Sequence, residues 1–109
     1  MKLSPLLAAA VALFAFSLPA AAVDADAALK LTKENGCTKC HAVDKDKKGP
    51  AYKTTAAKYK GKADAEAKVT EFVTKSPKIK IDGSDEEHKA VKTSDAGQVK
   101  NLVQWILAQ

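Results

Sequence analysis

The stretch Gly36-Cys37-Thr38-Lys39-Cys40-His41, or G-C-T-K-C-H, contains both cysteines of the chain and one of its two histidines. Two thiols three positions apart, followed at once by an imidazole, admit few chemistries. A disulfide across two intervening residues would remove little entropy from the unfolded chain and would be a weak staple. A thioredoxin-like dithiol needs a preceding strand and a βαβ arrangement, and the neighbouring sequence offers neither. A zinc site would have to add His88 to Cys37, Cys40 and His41, with two ligands adjacent in sequence and no second pair at finger-like spacing. The rest of the chain decides what the stretch holds.

The chain of 109 residues opens as an export signal does, with Lys2, a mostly apolar run from Leu6 to Leu18, then Pro19 and the small residues Ala20, Ala21 and Ala22. Residues 1–22 are expected to be a signal peptide cleaved near Ala22, and residues 23–109 one exported domain. A retained membrane anchor is the alternative, but the run falls short of the ~20 apolar residues a span prefers. A domain of about 87 residues has a marginal apolar core, so a metal, disulfide or cofactor is expected to complete it. The net charge is +5, and the chain has no arginine. Export and the missing arginines, which read bases bidentately, exclude nucleic acid as a partner. The lysines either form a solvated, solubilising surface or steer acidic protein partners toward the domain.

The periodicity is helical. From Asp24 to Glu34, acidic residues open a helix that carries Ala27, Ala28 and Leu31 on one face, and Asn35-Gly36 ends it just before Cys37. Short helices are expected from Ala51 to Tyr59 and from Asp64 to Thr74, the latter with Ala65, Val69, Phe72 and Val73 at helical spacing. The segment from Ile79 to Asp85 reads as a loop around an Asp82-Gly83 turn, since its I-K-I alternation is short for a strand. Ser94 or Asp95 caps a final helix in which Val99, Leu102, Val103 and Ile106 fall at i, i+3, i+4 and i+7. Trp105 stands beside that stripe as a packing residue whose ring could also line a cofactor pocket.

In a short, exported, helical chain, cysteine, two residues, cysteine and histidine form the attachment signature of a c-type haem. The thiols become thioethers to the porphyrin, and the histidine reaches the iron. One turn of helix puts Cys37 and Cys40 on the same side of the macrocycle, with His41 projecting toward the metal. One covalent haem would also supply the apolar mass that the core lacks.

These residues resemble a family. G-C-T-K-C-H at Gly36 to His41, G-P-A-Y-K at Gly49 to Lys53 and S-D-A-G-Q-V-K-N-L-V-Q-W-I-L at Ser94 to Leu107 are similar to stretches of the small bacterial class I cytochromes c. The resemblance runs from about Asp24 to Gln109. It implies an all-α class I cytochrome c fold in which the first and last helices cross, with Ala27, Ala28 and Leu31 meeting Leu102, Trp105 and Ile106. It implies a periplasmic, monomeric electron carrier rather than an enzyme, with haem c as cofactor and redox proteins as partners. Carried over, His41 is the proximal ligand and the Pro50 carbonyl accepts a hydrogen bond from its imidazole, which sets the tautomer and orients the ring.

One feature departs from the family. Its usual sixth ligand is a methionine in the loop before the last helix, whereas the only methionine here is Met1. That loop holds His88 instead, in the run D-E-E-H-K-A-V at Asp85 to Val91. Beside a haem, neutral imidazole is the strongest ligand the loop offers, so His88 is expected as the distal ligand. The alternatives are a five-coordinate iron, or one weakly met by a lysine, Asn101 or water. An open sixth site would make the protein a ligand-binding haem sensor. A third possibility is a small haem subunit of a larger oxidoreductase complex.

Overall fold

A computed structural model describes residues 10–12 and 22–109. The expected signal peptide lies outside the described residues but for residues 10–12 and 22. No helix among the described residues is long and apolar enough to cross a membrane.

Four helices and one hairpin make the domain: α1 Ala25–Glu34, α2 Tyr52–Tyr59, α3 Ala65–Lys75, β1 Lys78–Ile81, β2 Ser84–Glu87 and α4 Ala96–Leu107. The outer helices start where their caps require. The Asp24 carboxylate accepts the Ala27 N–H at 3.0 Å, and the Asp95 carboxylate accepts the Gln98 N–H at 2.9 Å. Helix α1 stops at Asn35, whose side-chain amide donates to the Leu31 carbonyl at 2.9 Å while its oxygen accepts the Lys92 N–H at 2.8 Å. One buried asparagine thus closes the first helix and pins the segment leading into the last.

Helix α4 is the spine against which α1, α2 and α3 all pack. The expected stripe of Val99, Leu102, Val103 and Ile106 is buried and, together with Ala28, Tyr52, Val69 and Trp105, forms the core. The start of α1 is clasped to α4 by a reciprocal pair: the Asp24 N–H donates to Asn101 Oδ1, and Asn101 Nδ2 donates to the Asp24 carbonyl, both at 2.8 Å. The face of α1 is rotated from the expected one. Ala28 is buried and Leu31 packs at the margin of the core, but Ala27 is exposed and Thr32 is buried in its stead. Thr32 tolerates this because its hydroxyl donates to the Leu29 carbonyl at 2.7 Å, so no polar group is buried unpaired.

The segment after α3 is a hairpin rather than the expected loop. Asp82 and Gly83 both adopt positive φ, 49° and 82°, as a two-residue type I′ turn requires. The strands pair Lys78 with Glu87, Ile79 with Glu86, Lys80 with Asp85 and Ile81 with Ser84, and Lys80 and Asp85 are in contact at 2.7 Å. The ladder runs one step further, because the His88 N–H donates to the Pro77 carbonyl at 2.8 Å.

Candidate haem site

Gly36, at φ 69°, turns the end of α1 into a 3-10 turn over Cys37–Lys39. The Cys37 carbonyl accepts the N–H of both Cys40, at 3.1 Å, and His41, at 2.9 Å, so the thiols and the imidazole are gathered on one short turn. Both thiols are free and half-buried. Burial pushes the Cys37 thiol up, with its own backbone hydrogen bond and the nearby Lys89 ammonium offsetting part of the effect. A raised thiol pKa is the opposite of the depressed one that activates a redox dithiol.

The chain then doubles back on His41. The Gly49 N–H donates to the Cys40 carbonyl at 2.8 Å, the Tyr52 N–H to Ala42 at 3.0 Å and the Lys53 N–H to Val43 at 3.1 Å. The Asp46 carboxylate accepts the Ala51 N–H at 2.7 Å and fastens the middle of the loop. This lacing brings Gly49, Pro50 and Tyr52 against the imidazole. His41 Nδ1 lies 2.7 Å from the Pro50 carbonyl oxygen. A carbonyl only accepts, so Nδ1 carries the hydrogen, and Nε2 is the ring nitrogen available to a metal.

Two further contacts hold the ring. A Cβ on Gly49 would stand 2.5 Å from His41 Cε1 and 2.9 Å from Nδ1, so glycine is the residue that lets the loop come this close. The Tyr52 ring stacks on the imidazole at 5.3 Å between centroids and 20° between planes. Both residues belong to the G-P-A-Y stretch, whose sequence signal is a turn followed by a helix; neither contact is visible at that level. Trp105, 6% exposed, meets Tyr52 edge-on at 5.2 Å and therefore stands one ring behind His41.

His88 arrives from the segment after the hairpin. It is half-buried, and its ring lies 6.0 Å from that of His41 with 52° between the planes. Two imidazoles bound at about 2.0–2.1 Å to opposite sides of one metal would have centroids roughly 6 Å apart. His88 Nδ1 is buried without a hydrogen-bond partner. Burial, and secondarily the charge of His41, pushes the His88 pKa down, while backbone groups of Phe72 and Lys89 offset part of that. The ring is thereby kept neutral, the form that can donate to iron. Phe72 on α3 stands edge-to-face with it at 5.8 Å and 86°, and is 39% exposed.

Among the described residues, no group of three His, Cys, Asp or Glu side chains could hold a bare metal ion. A haem brings four equatorial nitrogens of its own and asks the protein for two axial donors. Two imidazoles 6.0 Å apart, two thiols on the turn before the first of them and a bordering phenylalanine fit that group. Asn101, the other side chain considered as a donor, has its amide oxygen and nitrogen engaged with Asp24. The Lys89 ammonium sits close to Gly36, where a Cβ would come within 3.3 Å of it.

Known proteins share the fold. The family model for cytochrome c matches residues 25–109. The crystal structure of class 1 cytochrome MtoD from Sideroxydans lithotrophicus ES-1 is similar at 55% identity and a TM-score of 0.76, covering 80% of this chain and 97% of that one. Cytochrome c-551 of Allochromatium vinosum is 35% identical over 97 residues, 85% of this chain and 97% of its own. Cytochrome c-551 of Pseudomonas aeruginosa is 35% identical over 79 residues, 72% of this chain and 73% of its own. With this helical frame and this pair of thiols, the chain belongs to the cytochrome c family, as a small class I electron carrier with one covalently attached c-type haem.

Proposed function

We propose that the protein is a periplasmic carrier of single electrons in which Cys37 and Cys40 hold the haem, His41 and His88 are its axial ligands, and Pro50 orients His41. Residues 1–22 direct export and are removed, leaving residues 23–109 as a monomeric domain. The observation that carries this reading is the approach of the two imidazoles, 6.0 Å between ring centroids. The haem supplies reversible one-electron exchange at its iron. The protein holds both axial positions, so neither oxygen nor a substrate finds an open one. His41, with Nδ1–H fixed on Pro50, keeps the same tautomer and direction through the redox cycle. An imidazole in place of a thioether does not raise the potential as methionine does, which suits a low-potential step between an exported dehydrogenase or reductase and a membrane chain.

The lysines complete the reading as a docking field for partners with acidic surfaces. They are exposed along α2 and the loops beside it, at Lys45, Lys47, Lys48, Lys53, Lys58, Lys60 and Lys62. A field of this kind raises encounter rates more than affinity.

His88 decides the test. The wild-type ferric protein should show a low-spin spectrum without the weak far-red band of a methionine ligand. His88→Met should raise the reduction potential, and His88→Ala should let carbon monoxide or added imidazole bind. Fast carbon monoxide binding by the wild type, with an unchanged spectrum in His88→Ala, would instead support a ligand-binding sensor with an open sixth site.

A further inference from the structure

The two imidazoles are held by different means. His41 is fixed by a hydrogen bond to Pro50 and by stacking on Tyr52. His88 Nδ1 is buried and makes no hydrogen bond of ordinary length, with only backbone groups of Phe72 and Lys89 nearby, so its ring is tethered less firmly about the Cβ–Cγ bond than that of His41. The aromatic side chain that meets it from α3 is Phe72, edge-to-face at 5.8 Å and 86°. Helix α3 is seated on α4 by Val69, 5% exposed, with Val73 packed beside it, and Phe72 stands outside that cluster, on the side of the helix that meets His88. A ring in edge-to-face contact resists rotation, because turning the imidazole gives up the match between one ring's positive edge and the other's negative face.

Resting on the reading of His88 as distal ligand, we infer that Phe72 is a positioning residue that sets the plane of the His88 imidazole, and through it the 52° angle to the plane of His41. The angle has an electronic consequence. An imidazole donates π density perpendicular to its ring, so parallel rings act on the same iron d orbital, and perpendicular rings act on two orbitals equally. The angle between the rings therefore sets the splitting of those orbitals, and the splitting sets the spacing of the ferric g values. The other axial ring is already locked, so Phe72 is the side chain through which this angle is adjustable.

The test compares haem-loaded wild type, Phe72→Leu, Phe72→Met and Phe72→Tyr by low-temperature electron paramagnetic resonance of the ferric state, with thermal unfolding of each. Phe72→Leu and Phe72→Met keep an apolar side chain at a part-exposed site but remove the ring. Both should shift or broaden the largest g value, Phe72→Tyr should restore the wild-type signal, and the unfolding midpoints should stay close to wild type. Should one ringless variant fail to fold, the other carries the comparison. Wild-type g values in a folded ringless variant, or an equal shift in Phe72→Tyr, would overturn the role of Phe72 while leaving two-imidazole ligation standing. A wild-type spectrum without a second imidazole would overturn the ligation itself, and is distinguishable because it appears before any substitution.

Discussion

Adding one methyl group to Gly49 tests the proximal geometry. A Cβ there would lie 2.5 Å from His41 Cε1, 2.9 Å from Nδ1 and 3.0 Å from Nε2. Carbon contacts settle at about 3.5–4.0 Å, so the loop or the ring must give way by roughly 1 Å. The ring has little room to retreat, with Tyr52 stacked on its face and Cys37 to Cys40 tying its backbone to the turn. The loop must therefore back off, and stretching the 2.7 Å contact between Nδ1 and the Pro50 oxygen by that amount takes it beyond hydrogen-bond range. Overpacking costs about 1–3 kcal/mol and the lost bond about 0.5–1.5 kcal/mol, so Gly49→Ala should destabilise the haem-loaded protein by about 2–4 kcal/mol in a denaturant titration. The bond also makes His41 a stronger donor to ferric iron. Its loss should raise the reduction potential, by at most about 65 mV if the full bond energy discriminates between redox states. Gly97→Ala is the control: in the first turn of α4 its added carbon would lie 3.2 Å from the Asp95 carboxylate that caps the helix, so gained helix propensity and a slightly displaced cap oppose each other, and stability should stay within about 1 kcal/mol of wild type with no shift in potential. A Gly49→Ala protein with wild-type stability and potential would refute this close approach.

Three other outcomes are expected. Asn35→Ala removes the acceptor of the Lys92 N–H and the closure of α1 together, and should cost about 1–3 kcal/mol in chemical denaturation. Burial, and secondarily the charge of Cys37, pushes the Tyr52 phenol above its ordinary value of 10.0, and the burial remains once Cys37 is a thioether. The folded protein then keeps a proton that the unfolded chain releases, so stability should fall as pH climbs past 10, and Tyr52→Phe should remove a late-titrating phenol from the tyrosine nuclear magnetic resonance spectrum. If the lysines steer acidic partners, the bimolecular electron-transfer rate should fall steeply with added salt, and a rate flat in ionic strength would return them to a solubilising role.

The proximal half of the site is legible in sequence because one continuous segment builds it. From Gly36 to Tyr52 the thiols, the proposed proximal ligand and the residues that clamp its ring follow one another, and spacing alone brings Cys37, Cys40 and His41 to one turn. The stripe of α4 is readable for the same reason, since four large aliphatic residues at helical spacing allow one buried face. The face of α1 is not, because Ala27 and Ala28 are equally small and apolar and the helix could turn either one inward. The structure turns Ala28 inward together with Thr32 one turn later, a polar residue whose burial is made tolerable by its bond to the Leu29 carbonyl. Tyr52 escapes the sequence reading in a similar way, since nothing in an aromatic residue at the head of a short helix tells which ring it will stack on.

The distal half is assembled from segments that meet only in three dimensions, and the hairpin explains how a histidine in a wholly polar run comes to be half-buried. Strand β2 has no apolar residue and is exposed throughout, so its own sequence shows no strand pattern. The Asp82-Gly83 turn fixes the register, and with it the side on which each residue falls. Lys78, Lys80, Asp85 and Glu87 share one face as opposed charges, whereas Ile79 and Ile81, which are half-buried, share the other with Glu86. His88 stands two residues beyond Glu86 and across from Pro77, to which its N–H is bonded, so the strand alternation carries it onto the isoleucine side. A slip of one residue in the pairing would turn the same histidine to solvent and bring Glu87 inward. The register of this exposed strand, more than any local property of the D-E-E-H run, therefore turns the second imidazole inward, where its ring comes within 6.0 Å of the first.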